Sequence, residues 1–114
     1  MEYSRVYGRY YYLRELGRTN VRNRKSMIEH MIPAQLDALG TVARYIVESR
    51  IQIMDIDSDY FRRRRRILRV IAKLTLPFRR KRRLLLSQHQ LIPKLLRTTY
   101  LRRTIRAEIR TREE

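Results

Sequence analysis

The residues with chemistry to offer in this chain are two basic runs, Arg62-Arg63-Arg64-Arg65-Arg66 and Arg79-Arg80-Lys81-Arg82-Arg83. Guanidinium is planar, weakly hydrated and able to donate two parallel hydrogen bonds to one phosphate, whereas ammonium is a compact point charge. The chain holds 24 Arg against 4 Lys (Lys25, Lys73, Lys81 and Lys94), so most of its cationic chemistry is of the bidentate kind. With 28 basic and 11 acidic side chains over 114 residues, the formal net charge is +17. Such a balance calls for a polyanion, and nucleic acid comes first among polyanions. A reader of base edges needs a mixed set that includes Asn, Gln or Ser, and near-uniform arginine suits phosphate oxygens instead. The expectation is nucleic-acid binding through phosphates with little sequence preference, DNA ahead of RNA. Arg62, Arg63, Arg65, Arg66, Arg79, Arg80, Lys81, Arg82 and Arg83 are the candidate contacts, with Arg69 and Lys73 extending the surface between the runs.

Other chemistries have little to build on. There is no cysteine, which excludes disulfides and cysteine-based zinc sites. Asp55-Ile56-Asp57-Ser58-Asp59 begins like a calcium loop, but Tyr60 stands where glycine is needed and Arg66 where the closing glutamate is needed. Helix capping and pairing with the neighbouring arginines is the better use of those carboxylates. His30 and His89 lie far apart with no nucleophile or ligand pattern beside them. Glycine-rich phosphate loops and paired-carboxylate signatures are absent. No catalytic residues, no metal ligands and no cofactor are expected, and the protein reads as non-enzymatic. Tyr3, Tyr7, Tyr10, Tyr11 and Tyr12 could stack on unpaired bases, yet aromatic side chains at this density more often pack on protein.

Basic runs alone would make a disordered tail, so the elements that hold them decide their meaning. Hydrophobic residues make up 43 % of the chain, too many for disorder throughout. The pattern divides into a basic Tyr/Arg-rich arm at 1–25 that orders on binding, a helical domain at 26–100 and a charged C-terminal helical extension at 101–114 that frays or packs on a partner. The fold class is all-α, a small bundle of four to five short helices. Ser26-Met27-Ile28-Glu29 matches a capping box. Leu36, Leu39, Ala43, Ile46 and Val47 recur at helical spacing over 33–50. A basic helix over 59–74, opened by the Asp57-Ser58-Asp59 cap, carries Phe61, Ile67, Leu68, Ile71 and Leu74. Thr75-Leu76-Pro77 breaks the chain, a short helix follows at 77–87, and Pro93 opens a last one. A core this small, under this much self-repulsion, calls for counter-ions, nucleic acid or a second subunit, so a homo-oligomer is expected.

No apolar run approaches the roughly 18–20 residues that span a bilayer, and Met1-Glu2-Tyr3-Ser4-Arg5 lacks a secretory signal's apolar stretch. Residues 1–25 carry seven basic and two acidic groups, which keeps a mitochondrial location as a minor alternative to the host nucleus or a virion. Two rival classes stand beside nucleic-acid binding. One is a structural component of a large assembly, such as an organellar ribosome or a capsid interior. The other is a membrane-active basic amphipathic accessory protein; the narrow apolar face of 59–74, broken at Pro77, argues against a membrane partner.

Over residues 35–97 the order of segments is Leu36-Asp37-Ala38-Leu39 with Ile46-Val47, Arg65-Arg66-Ile67-Leu68-Arg69-Val70-Ile71-Ala72, Leu74-Thr75-Leu76, Lys81-Arg82-Arg83-Leu84-Leu85-Leu86 and Leu91-Ile92-Pro93-Lys94-Leu95-Leu96. This resembles small, very basic proteins of adintovirus- or polinton-like DNA viruses and mobile elements. Members often have a glycine pair where this chain has Ser87-Gln88-His89-Gln90, and they use more Lys. The resemblance implies a viral protein with a non-enzymatic role in the virion core or in genome packaging, with capsid proteins as further partners.

Overall fold

The longest apolar stripe of the chain forms its central helix, α4 (Pro33–Val47), which is enclosed on almost every side: Leu36, Ala38, Leu39, Gly40, Thr41, Val42, Ala43, Tyr45 and Ile46 are all buried. Pro33 sits in the first turn, where its missing N–H has no partner to lose, and the Ile32 amide donates to Gln35 Oε1 at 2.9 Å. The helix ends in a double-bonded cap. Arg50 N donates to Tyr45 O at 2.8 Å and Ser49 N to Ile46 O at 3.1 Å, with Ser49 in the left-handed region at φ 56°.

The computed structural model describes residues 4–113, with side chains through residue 110. Among these residues lie nine α-helices and no strand, so the chain is all-α. α1 (Arg5–Gly8), α2 (Tyr10–Arg18) and α3 (Val21–Glu29) precede α4. α5 (Asp55–Arg63), α6 (Arg65–Ala72) and α7 (Phe78–Ser87) carry the basic runs. A 3-10 turn at His89–Leu91, then α8 (Ile92–Leu95) and α9 (Thr98–Glu113), complete the order. α1, α2, α6, α7 and α9 all pack on α4, α6 most extensively. A β-carbon added at Gly40 would stand 3.0 Å from the Ile71 carbonyl oxygen, so only glycine lets α4 and α6 approach this closely. The radius of gyration is 13.1 Å, close to the roughly 13 Å of a chain this long folded with nothing protruding.

Residues 5–18 are therefore no loose arm. They form α1 and α2 and place Val6, Leu13 and Leu16 in the core at 0 % exposure. Tyr10 and Tyr12 pack against that core, while Tyr7 and Tyr11 face solvent; Tyr3 lies outside the described residues. The C-terminal segment is likewise integrated, with Leu101, Thr104 and Glu108 of α9 buried. Glu108 accepts from Ser4 Oγ and from the amides of Arg5 and Val6, both at 3.3 Å, so it satisfies donors at the start of α1. The two ends of the chain hold each other.

Three element boundaries also differ from expectation. Ser26-Met27-Ile28-Glu29 ends α3 instead of opening a helix; its N-cap is Asn20, whose Oδ1 accepts from Asn23 N at 2.8 Å. The helix expected over 59–74 is two helices that break at Arg64, whose guanidinium lies 3.7 Å from the centre of the Tyr60 ring. Asp57 does not cap a helix. It sits inside the first turn of α5 at 0 % exposure and accepts from Arg97 Nε at 2.7 Å, Arg97 Nη2 at 3.0 Å and Tyr100 Oη at 2.6 Å. Burial pushes this carboxyl up. The hydrogen bonds from Arg97 and Tyr100, with the charges of Arg97 and Lys94, more than reverse that and leave it below the usual range.

Candidate nucleic-acid interface

Helix geometry sorts the second basic run into an outer and an inner part, whereas the first is split by the break at Arg64 and keeps Arg62, Arg63, Arg65 and Arg66 exposed. Successive residues of an α-helix turn by about 100°, so five in a row sweep the whole circumference and cannot all face solvent. On α6 the apolar side presents Leu68 and Ile71 to the core. Arg65, Arg66, Arg69 and then Lys73, just past the helix end, share the exposed side. On α7, Leu85 and Lys81 are buried, while Arg79, Arg80 and Arg83 are exposed.

Lys81 is thus no surface contact. It is 4 % exposed, and burial pushes its ammonium down from the ordinary range; Asp37 opposes that shift and the Arg44 charge adds to it. Position 81 falls one turn before Leu85 on the inward face, and that spacing was visible within the run itself. Arg82 is half-buried. It donates to the Glu29 carbonyl at 3.2 Å, closing the end of α3, and lies 5.3 Å from the centre of the Phe78 ring. Arg62 and Arg63 are exposed but both pair with Asp59, Arg63 at 3.0 Å. Arg65 reaches the Val47 carbonyl at 3.4 Å, at the end of α4.

Six of the expected contacts remain fully available: Arg66, Arg69, Lys73, Arg79, Arg80 and Arg83 are exposed and take part in no ion pair or hydrogen bond found among the described residues. Three of them, Lys73, Arg80 and Arg83, are brought together at one place. Val70 of α6 and Lys73 just past its end, with Leu76 of the connection and Arg80, Arg83, Leu84 and Ser87 of α7, line a single groove of about 540 Å³. Lys73, just past α6, and the second basic run therefore border one concave, electropositive surface.

Sequence reasoning missed a basic residue beside this surface. Arg44, on α4, lines a second cavity of about 550 Å³ with Val47, Glu48, Arg69, Ala72, Lys73 and Leu74. No run of charge marks it, because it stands alone in the apolar stripe of 33–50. Groups of three or more His, Asp or Glu side chains able to hold a metal ion are absent among the described residues. No described helix is long and apolar enough to cross a membrane. Compared with family models, with curated proteins and with solved structures, the chain matches none.

Proposed function

We propose that the protein binds nucleic acid through its phosphates, without catalysis and with little sequence preference. The observation that carries this reading is the groove between the end of α6 and α7, where Lys73, Arg80 and Arg83 face one cavity with no carboxylate to neutralise them. Arg66, Arg69 and Arg79 extend the same unneutralised charge along the exposed sides of the two helices. A strand seated there would exchange its condensed counter-ions for guanidinium groups, which favours binding through released salt. Because the exposed donors are nearly all guanidinium, they favour phosphate contact over discrimination between bases. Packaging a DNA genome, in company with further copies of this chain or with capsid subunits, is the setting we propose for such binding.

Salt titration of duplex binding tests the reading. Six phosphate contacts give a log–log slope of about −5. Replacing Arg79, Arg80 and Arg83 together by Gln should bring it to about −3 and weaken binding on every sequence alike. A slope near zero, or a triple variant that binds like wild type, would overturn the proposal.

A further inference from the structure

Helices α4 and α6 run antiparallel, with Gly40 against Ile71 at one level and Arg65 reaching Val47 at another. At the α4–α6 interface lies the cavity of about 550 Å³ that Arg44 lines. Its charged lining is three cations, Arg44, Arg69 and Lys73, against the single carboxylate of Glu48, which is already paired with Arg50 at 3.7 Å. Arg44 Nε and Nη2 are screened from solvent and have no hydrogen-bond partner. Buried guanidinium N–H groups left without an acceptor are costly, and native structures avoid them unless something absent from the chain completes the site. The second observation is Lys81 on α7, also buried, whose titration feels the Arg44 charge. Neither Arg44 nor Lys81 takes part in any ion pair found among the described residues. Asp37 acts on Lys81 only through space, with no ion pair, so positive charge is in excess here and an anion is what the site lacks.

We propose that the cavity between α4 and α6 seats one phosphate group of a bound nucleic-acid strand, with the Arg44 fork turning towards it to donate from the inner side and Arg69 and Lys73 donating from the outer side. The inference rests on the nucleic-acid reading for the source of the phosphate, but the seat itself needs only the tetrahedral oxyanion. Lys73 borders both this cavity and the groove against α7, so a backbone lying in the groove has its next phosphate within the reach of the same side chain. Arginine suits the inner position because its fork satisfies two oxygens of one phosphate at once. The seat would make one contact of the interface geometrically fixed while the other arginines remain mobile point contacts.

Inorganic phosphate and duplex DNA together decide the matter. Nitrogen-15 NMR of the arginine Nε–Hε groups, at constant ionic strength, should show the Arg44 signal moving saturably at low millimolar phosphate while Arg79 barely moves. Arg44→Gln should abolish the saturable response, and Lys73→Gln, on the exposed edge where folding is not at stake, should weaken it several-fold. On duplex DNA each of these variants should weaken binding and lower the salt slope by at most one contact, about 0.9, because both side chains serve the same phosphate. Equal, unsaturable shifts at Arg44 and Arg79 would overturn the seat, even with duplex binding intact. Saturable phosphate binding at Arg44 with no duplex binding would overturn the nucleic-acid source and leave the oxyanion seat standing.

Discussion

At the junction of α5 and α9, Asp57 is taken fully inside and met by everything a carboxylate needs: two bonds from Arg97 and one from Tyr100 Oη, which itself accepts from the Met54 amide at 3.1 Å. Between α4 and α7, Lys81 is taken inside to nearly the same depth and met by a neighbouring cation, Arg44, and by the field of Asp37 without an ion pair. Both sites place charge where solvation is poor. Only the first supplies the compensating geometry that makes this tolerable. The lesson is that buried charge in this molecule takes two forms: a clasp that fixes α5 against α9, and a cation that Asp37 reaches only through space, with no ion pair.

The strongest test of that contrast is to remove the compensation at the clasp. Arg97→Met leaves a fully buried carboxylate with only the tyrosine hydroxyl, and stability at pH 7 should fall by about 3–5 kcal/mol in urea unfolding. The sign of its pH dependence should also reverse. In wild type the Asp57 carboxyl lies below its ordinary value of about 3.9, so its contribution is present above that pH and is lost as pH falls through the folded value. In the variant only the Tyr100 bond and the Lys94 charge are left to oppose burial, so the carboxyl should rise and mild acid should restore part of the loss. An equal deficit at pH 7 and pH 5 would show that Arg97 acts by packing and not by charge.

Tyr100→Phe is the intermediate case, removing one bond to the carboxylate and stranding the Met54 amide. It should cost about 1.5–3 kcal/mol, as hydrogen bonds to charged groups do. Burial, with the bond to Asp57, pushes the Tyr100 hydroxyl up to about 12. A phenol raised in this way contributes stability that is complete below its ordinary value of about 10 and is lost as pH climbs towards 12. Alkaline unfolding curves should therefore be shallower between pH 10 and 12 in the variant, with the remainder owed to Tyr12, which burial also pushes up to about 12.

The same contrast explains what could be read from the sequence and what could not. The central helix was legible because its apolar positions are uninterrupted, and α7 because Pro77 and the Leu84-Leu85 pair bracket it. The first two helices were hidden by their own surface: Tyr and Arg crowd residues 5–18, and only Val6, Leu13 and Leu16 are fully buried there. The inner face of α9 escaped because two of its buried positions, Thr104 and Glu108, are polar. The candidate contacts were read as charge, and charge alone does not reveal which arginines are already occupied. Nine short helices leave many end carbonyls without partners. Arg24 serves the Leu16 and Thr19 carbonyls at 3.1 and 2.7 Å, Arg65 serves Val47 and Arg82 serves Glu29. The last two acceptors lie 18 and 53 residues away, beyond any local pattern. Part of the preference for arginine over lysine is thus structural, because a fork can close a distant helix end while its stem lies along the surface.

Lys81→Met carries the comparison to its smallest and oppositely signed effect. Methionine nearly matches the lysine stem in length and flexibility, so packing against the core is retained while the buried charge goes. Where Arg97→Met is costly, this change should stabilise the unliganded protein by about 1 kcal/mol at pH 7, because the partner that Lys81 lacks is no longer needed. The lowered ammonium means the folded chain sheds this proton before the unfolded chain does. The cost of keeping it charged is therefore full below the folded value and fades as pH rises from there towards the ordinary lysine value of about 10.4. Tyrosine ionisation is common to both proteins and cancels in the difference, so the gain should shrink as pH rises from the folded value towards about 10.4. A loss comparable to that of Arg97→Met would mean that Asp37 compensates Lys81 as fully as Arg97 compensates Asp57, and the two buried charges would then be two clasps of one kind.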